Sequence, residues 1–144
     1  MLSPKNRQHD EVTIPSDMKW MPKVVAEVDR VVGDMGFDEE TGDFLAVATT
    51  EAVTNAIVHG NRGDARKRVR IRFKRGRERL TVSVADEGGG FDPECLEDPT
   101  DPKNVSKRSG RGLFILKSLM DEVDISCTPE GTTITMTKYK KRVH

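Results

Sequence analysis

The chain is poor in the features that mark metal frameworks, membranes or secretion. It has only two cysteines, Cys95 and Cys127, at no metal-ligand or redox spacing, too few for the disulfide framework of a small secreted domain. No apolar run approaches the roughly 20 residues needed to span a bilayer. The opening stretch MLSPKNRQHDE lacks the apolar centre of a signal peptide. Twenty-four basic residues balance 24 acidic ones, so no global field draws the chain toward nucleic acid or an anionic membrane. The expectation is a soluble, cytoplasmic protein that binds neither membrane nor nucleic acid.

What is present suits one domain. The length, 144 residues, allows a single well-formed core, and 33% charged residues imply a heavily charged surface. Residues 1–10 are polar and expected to be a flexible terminus; 11–140 form the domain. EVTIPS is a strand candidate closed by Pro15. Met18 to Met35 repeats apolar residues at helical spacing and ends at Gly36. A second helix is expected from about Glu39 to His59, with Phe44, Leu45, Ala48, Ala52, Val53, Ala56 and Ile57 as its buried stripe. VRIRFKR and RLTVSVAD alternate strictly and predict a hairpin with one buried face. A long Gly- and Pro-bearing connection follows, then a helix, GLFILKSLMD, and two more strands around Pro129-Glu130-Gly131. This order predicts an α+β two-layer sandwich: a mostly antiparallel sheet with helices on one face.

Three separated stretches carry chemistry. In the first, Glu51 and Asn55 lie four residues apart on the second helix and leave the same face. An Asn carbonyl is a hard oxygen ligand suited to Mg²⁺. A neighbouring carboxylate can take a proton from an attacking hydroxyl. In the second, Asp86 ends an apolar strand before Gly88, Gly89 and Gly90, where a carboxylate could accept from an exocyclic amine such as that of adenine. In the third, Gly110 and Gly112 open a helix whose first N–H groups have no intrahelical partner and favour phosphate. Arg108 and Arg111 add charged donors there. Each stretch alone reads more simply as an ordinary turn or a solvated helix face than as a site. No P-loop and no Rossmann fingerprint occurs.

Taken in order, the motifs E-A-V-T-N-A-I-x-H-G (Glu51 to Gly60), D-x-G-x-G-F (Asp86 to Phe91), R-S-G-x-G-L (Arg108 to Leu113) and G-T-T (Gly131 to Thr133) resemble the GHKL ATPases. Within them the chain is most similar to the anti-sigma factor serine/threonine kinases. The resemblance implies a Bergerat-type sandwich with ATP between helices and sheet. It implies that Asn55 holds Mg²⁺, that Glu51 is general base toward a protein serine, and that Asp86, helped by Thr132, reads adenine. Gly88 and Gly90 would shape the adenine pocket. Gly110 and Gly112 would offer amides to the phosphates, and Arg108 would reach the γ-phosphate. Leu113 completes that motif, and residues 92–109 would be the lid. The implied partners are a sigma factor and a STAS-domain anti-sigma antagonist, with the kinase a homodimer.

Three other functions are open to the same sequence. The ATP-binding domain of a histidine kinase would need an upstream helical hairpin with a phospho-acceptor histidine, and His9, His59 and His144 sit on none. A non-catalytic anti-sigma module would have no need of Glu51. A nucleic-acid surface on Arg66, Arg68, Arg70, Arg72 and Lys74 would want stacking aromatics, and Phe73 points the other way. That basic row reads as a solvated strand face, or as a surface for an acidic partner protein.

Overall fold

The computed structural model describes residues 9–88 and 112–140. Strand β1 runs His9–Pro15 and starts two residues inside the stretch expected to fray. A 3₁₀ turn, Met18–Trp20, leads into helix α1, Met21–Met35, and helix α2 spans Glu39–Asn55. Strands β2, Arg68–Arg75, and β3, Arg79–Ala85, form the expected hairpin. Helix α3, Gly112–Leu119, precedes β4, Glu122–Thr128, and β5, Gly131–Tyr139. The sheet order is β1-β2-β3-β5-β4, and every neighbouring pair is antiparallel.

Alternation decides which side of the sheet the helices cover. Val12 and Ile14, Val69, Ile71 and Phe73, Leu80, Val82 and Val84, and Ile134 and Met136 are buried. Their strand neighbours point to the opposite, uncovered face, as the two-residue period of a strand requires. Val24, Val28 and Val31 of α1 and Leu45, Ala48, Ala52 and Val53 of α2 close the core from the helix side. Phe44, expected in that stripe, is only half-buried, with the Lys138 ammonium 5.3 Å from its ring centre. Thr41 and Thr49 take core positions instead.

Local chemistry sets the helix ends. α1 stops because Gly36 adopts φ 75°, the left-handed conformation a Cβ disfavours, and its N–H returns to Val32 O at 3.1 Å. Asp38 caps α2 by accepting from Thr41 N at 3.2 Å, and Glu39 and Glu40 complement the helix dipole. The two helices cross tightly: a Cβ on Gly42 would lie 2.9 Å from Val32 Cγ1.

An ionic cluster fastens α1 to the edge of the sheet. Asp10 of β1 has a side chain only 1% exposed. It accepts from Arg30 at 2.7 Å and from Arg75 Nε at 3.0 Å. Asp34 completes the link to Arg75 at 3.3 Å. Cys127 on β4 is not a free thiol; it is disulfide-bonded. Among the described residues no helix is long and apolar enough to cross a membrane.

Candidate functional site

Helix α2 does not continue to His59 as its sequence suggests. After Asn55 the chain widens into a π-turn, Ala56–Gly60, in which Asn61 N donates to Ala56 O at 2.8 Å across five residues. Such turns recur at functional sites because one extra residue re-aims the backbone. Here it carries Gly60 under the end of β3 and turns Asn61 inward, where it is 1% exposed.

Gly60 makes room for Asp86. A Cβ on Gly60 would overlap the Asp86 carboxylate, and one on Gly131 would overlap the Asp86 carbonyl. Gly88 is equally confined: its Cβ would lie 2.6 Å from Gly60 O. Asp86 therefore sits where three backbones converge, which only residues without side chains permit. Its Oδ1 accepts from Gly88 N at 2.9 Å and Thr132 N at 3.0 Å, while its own N–H donates to Thr132 O at 2.9 Å. Those bonds fix one carboxylate oxygen, and Oδ2 is the atom that lies against Gly60.

The same strand end is held from the other side by Asn61, which sequence reasoning treats as a helix stop. Its Oδ1 accepts from Glu87 N at 2.8 Å. Its Nδ2 donates to Ser16 Oγ at 2.6 Å and to Arg68 O at 3.0 Å. Arg68 N donates to Glu87 Oε1, and Lys67 Nζ reaches Gly88 O at 3.3 Å. Residues 86–88 thus form a platform whose backbone and side chains are pinned by Lys67 and Arg68, by Thr132 of β5 and by Asn61 after the π-turn. No sequence signal distinguishes this asparagine from a common Gly-Asn turn; its burial is what reveals it.

Glu51 and Asn55 are half-buried and border the α2 stripe of Ala48, Ala52 and Val53. At 1.5 Å rise per residue, Glu51 stands roughly 13 Å along the axis from Gly60, with Asn55 between them. Along α2 and the π-turn after it the chain thereby carries a carboxylate, an amide and the glycine under Asp86. Thr132 is 8% exposed, pairs with Asp86 through its backbone, and donates its hydroxyl to Cys127 Sγ at 3.7 Å. Gly112 begins α3, which packs on α2. Gly90, Arg108, Gly110, Arg111 and the expected lid, 92–109, lie outside the described residues, as does the side chain of Leu113. A cavity of about 580 Å³ on the uncovered face of the sheet reaches this strand end: Asp86, Glu87 and Gly131 line it together with Arg66, Arg68, Arg70 and Thr133.

This two-layer frame, with its acid-bearing strand end over a helix carrying Glu51 and Asn55, has counterparts. The family model for the histidine kinase-like ATPase domain matches residues 14–138. The chain belongs to that family. Within it the sequence is similar to serine-protein kinase RsbW of Bacillus subtilis, 32% identical over 93% of this chain and 87% of that protein. It is also similar to RsbW of Listeria monocytogenes, 28% identical over 91% and 88%. Among solved structures, the RsbU and RsbW domains of Rv1364c from Mycobacterium tuberculosis superpose with a TM-score of 0.69 at 20% identity. That match covers 93% of this chain and 32% of the other. The histidine kinase domain of Erythrobacter litoralis EL346 gives 0.55 over 92% and 68%, also at 20% identity. At that identity both share the fold.

Proposed function

We propose that the chain is an ATP-dependent protein serine/threonine kinase acting in partner switching. It would hold a sigma factor in one state and phosphorylate a serine of a STAS-type antagonist in another, working as a homodimer in the cytoplasm. The observation that carries this reading is the succession of Glu51, Asn55 and the Gly60–Asp86 contact along α2 and the π-turn that follows it. The kinase activity named for the RsbW relatives supports it.

The residues present fit the cofactors. Asp86 keeps an oxygen in the confined space above Gly60, suited to an exocyclic amine. Among the described residues no cluster of three His, Cys, Asp or Glu makes a metal cage. Asn55 would therefore be a single protein ligand, which suits an ion that keeps its waters and binds substrate phosphates. When bound, Mg-ATP supplies the phosphoryl group and neutralises its charge. Glu51 would orient the acceptor serine hydroxyl and take its proton as the serine oxygen bonds to the γ-phosphorus and the bond to the leaving ADP oxygen breaks. Asn55 would hold the metal beside that carboxylate, and Asp86 would fix the base at the far end.

The test is incubation with Mg-ATP and STAS proteins of the same genome, read out as acid-stable phosphoserine. Glu51→Ala should abolish transfer and leave ATP binding intact. Transfer that survives the substitution removes Glu51 from the role of base. Acid-labile phosphohistidine in place of phosphoserine would point to a different acceptor chemistry.

A further inference from the structure

Helix α3, Gly112–Leu119, has eight residues and is too short to hold its shape by itself. Leu116 and, just past the helix end, Met120 bury its inner side. The last turn of a helix leaves carbonyls without intrahelical donors, at the negative end of the dipole. Lys138 of β5 supplies both a donor and a charge there. Its Nζ donates to Leu119 O at 2.8 Å and lies 3.7 Å from Asp121 Oδ1. The same ammonium stands 5.3 Å from the ring centre of Phe44 on α2. That contact accounts for a phenylalanine left half-buried at a stripe position: its ring receives a cation. The Lys138 side chain is only 13% exposed, so solvent screens these contacts less than those of a surface pair. Asp121 adds two more bonds to the same strand. Its N–H donates to Thr137 O at 3.0 Å, and its Oδ2 accepts from Tyr139 N at 2.7 Å. One lysine therefore fastens the C-terminal end of α3 to both α2 and β5.

We propose that Lys138 is a positioning residue for the triphosphate of ATP, acting through α3; this rests on the reading of the Gly112 end of that helix as the phosphate end. α3 packs on α2, the helix that carries Glu51 and Asn55. Held at Leu119, α3 reaches roughly 12 Å to Gly112 at 1.5 Å per residue. A tilt of about 10° about the held end moves Gly112 by roughly 2 Å. Misplacing a positioning group by about 1 Å costs up to about a hundredfold in rate. Lys138 sits at the end of α3 remote from Gly112, so its effect on the phosphates is carried by the helix and not by contact. The base end is held separately: Asp86 Oδ1 accepts from Gly88 N and Thr132 N, and neither bond involves Lys138. Lys138 therefore governs the grip on the phosphates and leaves the grip on adenine alone.

The experiment measures the dissociation constants of Mg-ATP and of adenosine by titration calorimetry on wild type, Lys138→Met and Lys138→Arg, with circular dichroism to check folding. Methionine keeps an unbranched apolar side chain and removes the donor and the charge. Lys138→Met should bind ATP at least about tenfold more weakly and adenosine as tightly as wild type does. Arginine keeps a donor and a charge, so Lys138→Arg should recover most of the ATP affinity. A role in stability alone would lower the urea midpoint and leave both constants of the folded protein unchanged. Unchanged ATP affinity in Lys138→Met, a parallel loss of ATP and adenosine, or an arginine variant no better than the methionine one overturns the proposal. A wild type that takes up neither ligand contradicts the nucleotide site itself, and the role of Lys138 falls with it. Should Lys138→Met misfold, Phe44→Leu removes the ring beneath the ammonium. It should weaken ATP relative to adenosine in the same direction, and an unchanged ratio there also overturns the proposal.

Discussion

The side-chain oxygen of Asn61 accepts the backbone N–H of Glu87 at 2.8 Å, tying the end of the π-turn to the strand end that carries Asp86. The same amide donates to Ser16 and Arg68, so a single buried side chain joins three segments distant in sequence. Replacing it takes the side-chain partner from a part-buried backbone N–H and a part-buried carbonyl, each costing up to about 1–3 kcal/mol when unpaired. Asn61→Ala should lower stability by about 2–4 kcal/mol in urea unfolding. The KM for ATP should rise more than kcat falls, because the damage lies at the end proposed to hold the adenine, away from Glu51.

Gly60 offers a cleaner separation of binding from folding. Its Cβ would enter the space of the Asp86 carboxylate. In Gly60→Ala that carboxylate must turn away, although the helix core is unchanged. ATP affinity should fall at least about tenfold, which corresponds to about 1.4 kcal/mol. Calorimetry reads the loss, and circular dichroism should report a folded protein.

The Asp10 cluster makes stability depend on acid in a defined direction. Burial alone would push the Asp10 carboxyl up. The hydrogen bond from Arg30 and the charge and hydrogen bond of Arg75 override it and hold the carboxyl below its ordinary value of 3.8. A depressed carboxylate contributes stability that is complete above the unfolded pKa and is lost as pH falls through the folded one. That contribution should persist at neutral pH and disappear below about pH 4. Asp10→Asn should cost about 2 kcal/mol at pH 7, because Arg75, with a side chain 6% exposed, loses one of its charged hydrogen-bond partners. The deficit should shrink as the pH of the unfolding experiment is lowered.

Much of this architecture is legible in the sequence. Strict alternation in β2 and β3 marks the hairpin, and valines at helical spacing mark α1. Glu51 and Asn55 stand out because four-residue spacing places polar groups on one face of an alanine-rich helix. What escapes is tertiary in origin. The π-turn looks like unbroken helix because Ala56 and Ile57 keep the apolar rhythm that α2 began. Asn61 looks like a turn residue because two of its partners, Ser16 and Glu87, are far away in the chain. Phe44 fits the apolar stripe by spacing, yet Thr41 and Thr49 occupy the core positions.

Binding of Mg-ATP between α2 and the Asp86 strand end is the central expectation. Isothermal titration with Mg-ATP on wild type, Asp86→Asn and Glu51→Ala measures it. Wild type and Glu51→Ala should bind alike, and Asp86→Asn should bind at least about tenfold more weakly. No heat of binding in wild type, or undiminished affinity in Asp86→Asn, would contradict the placement of the nucleotide.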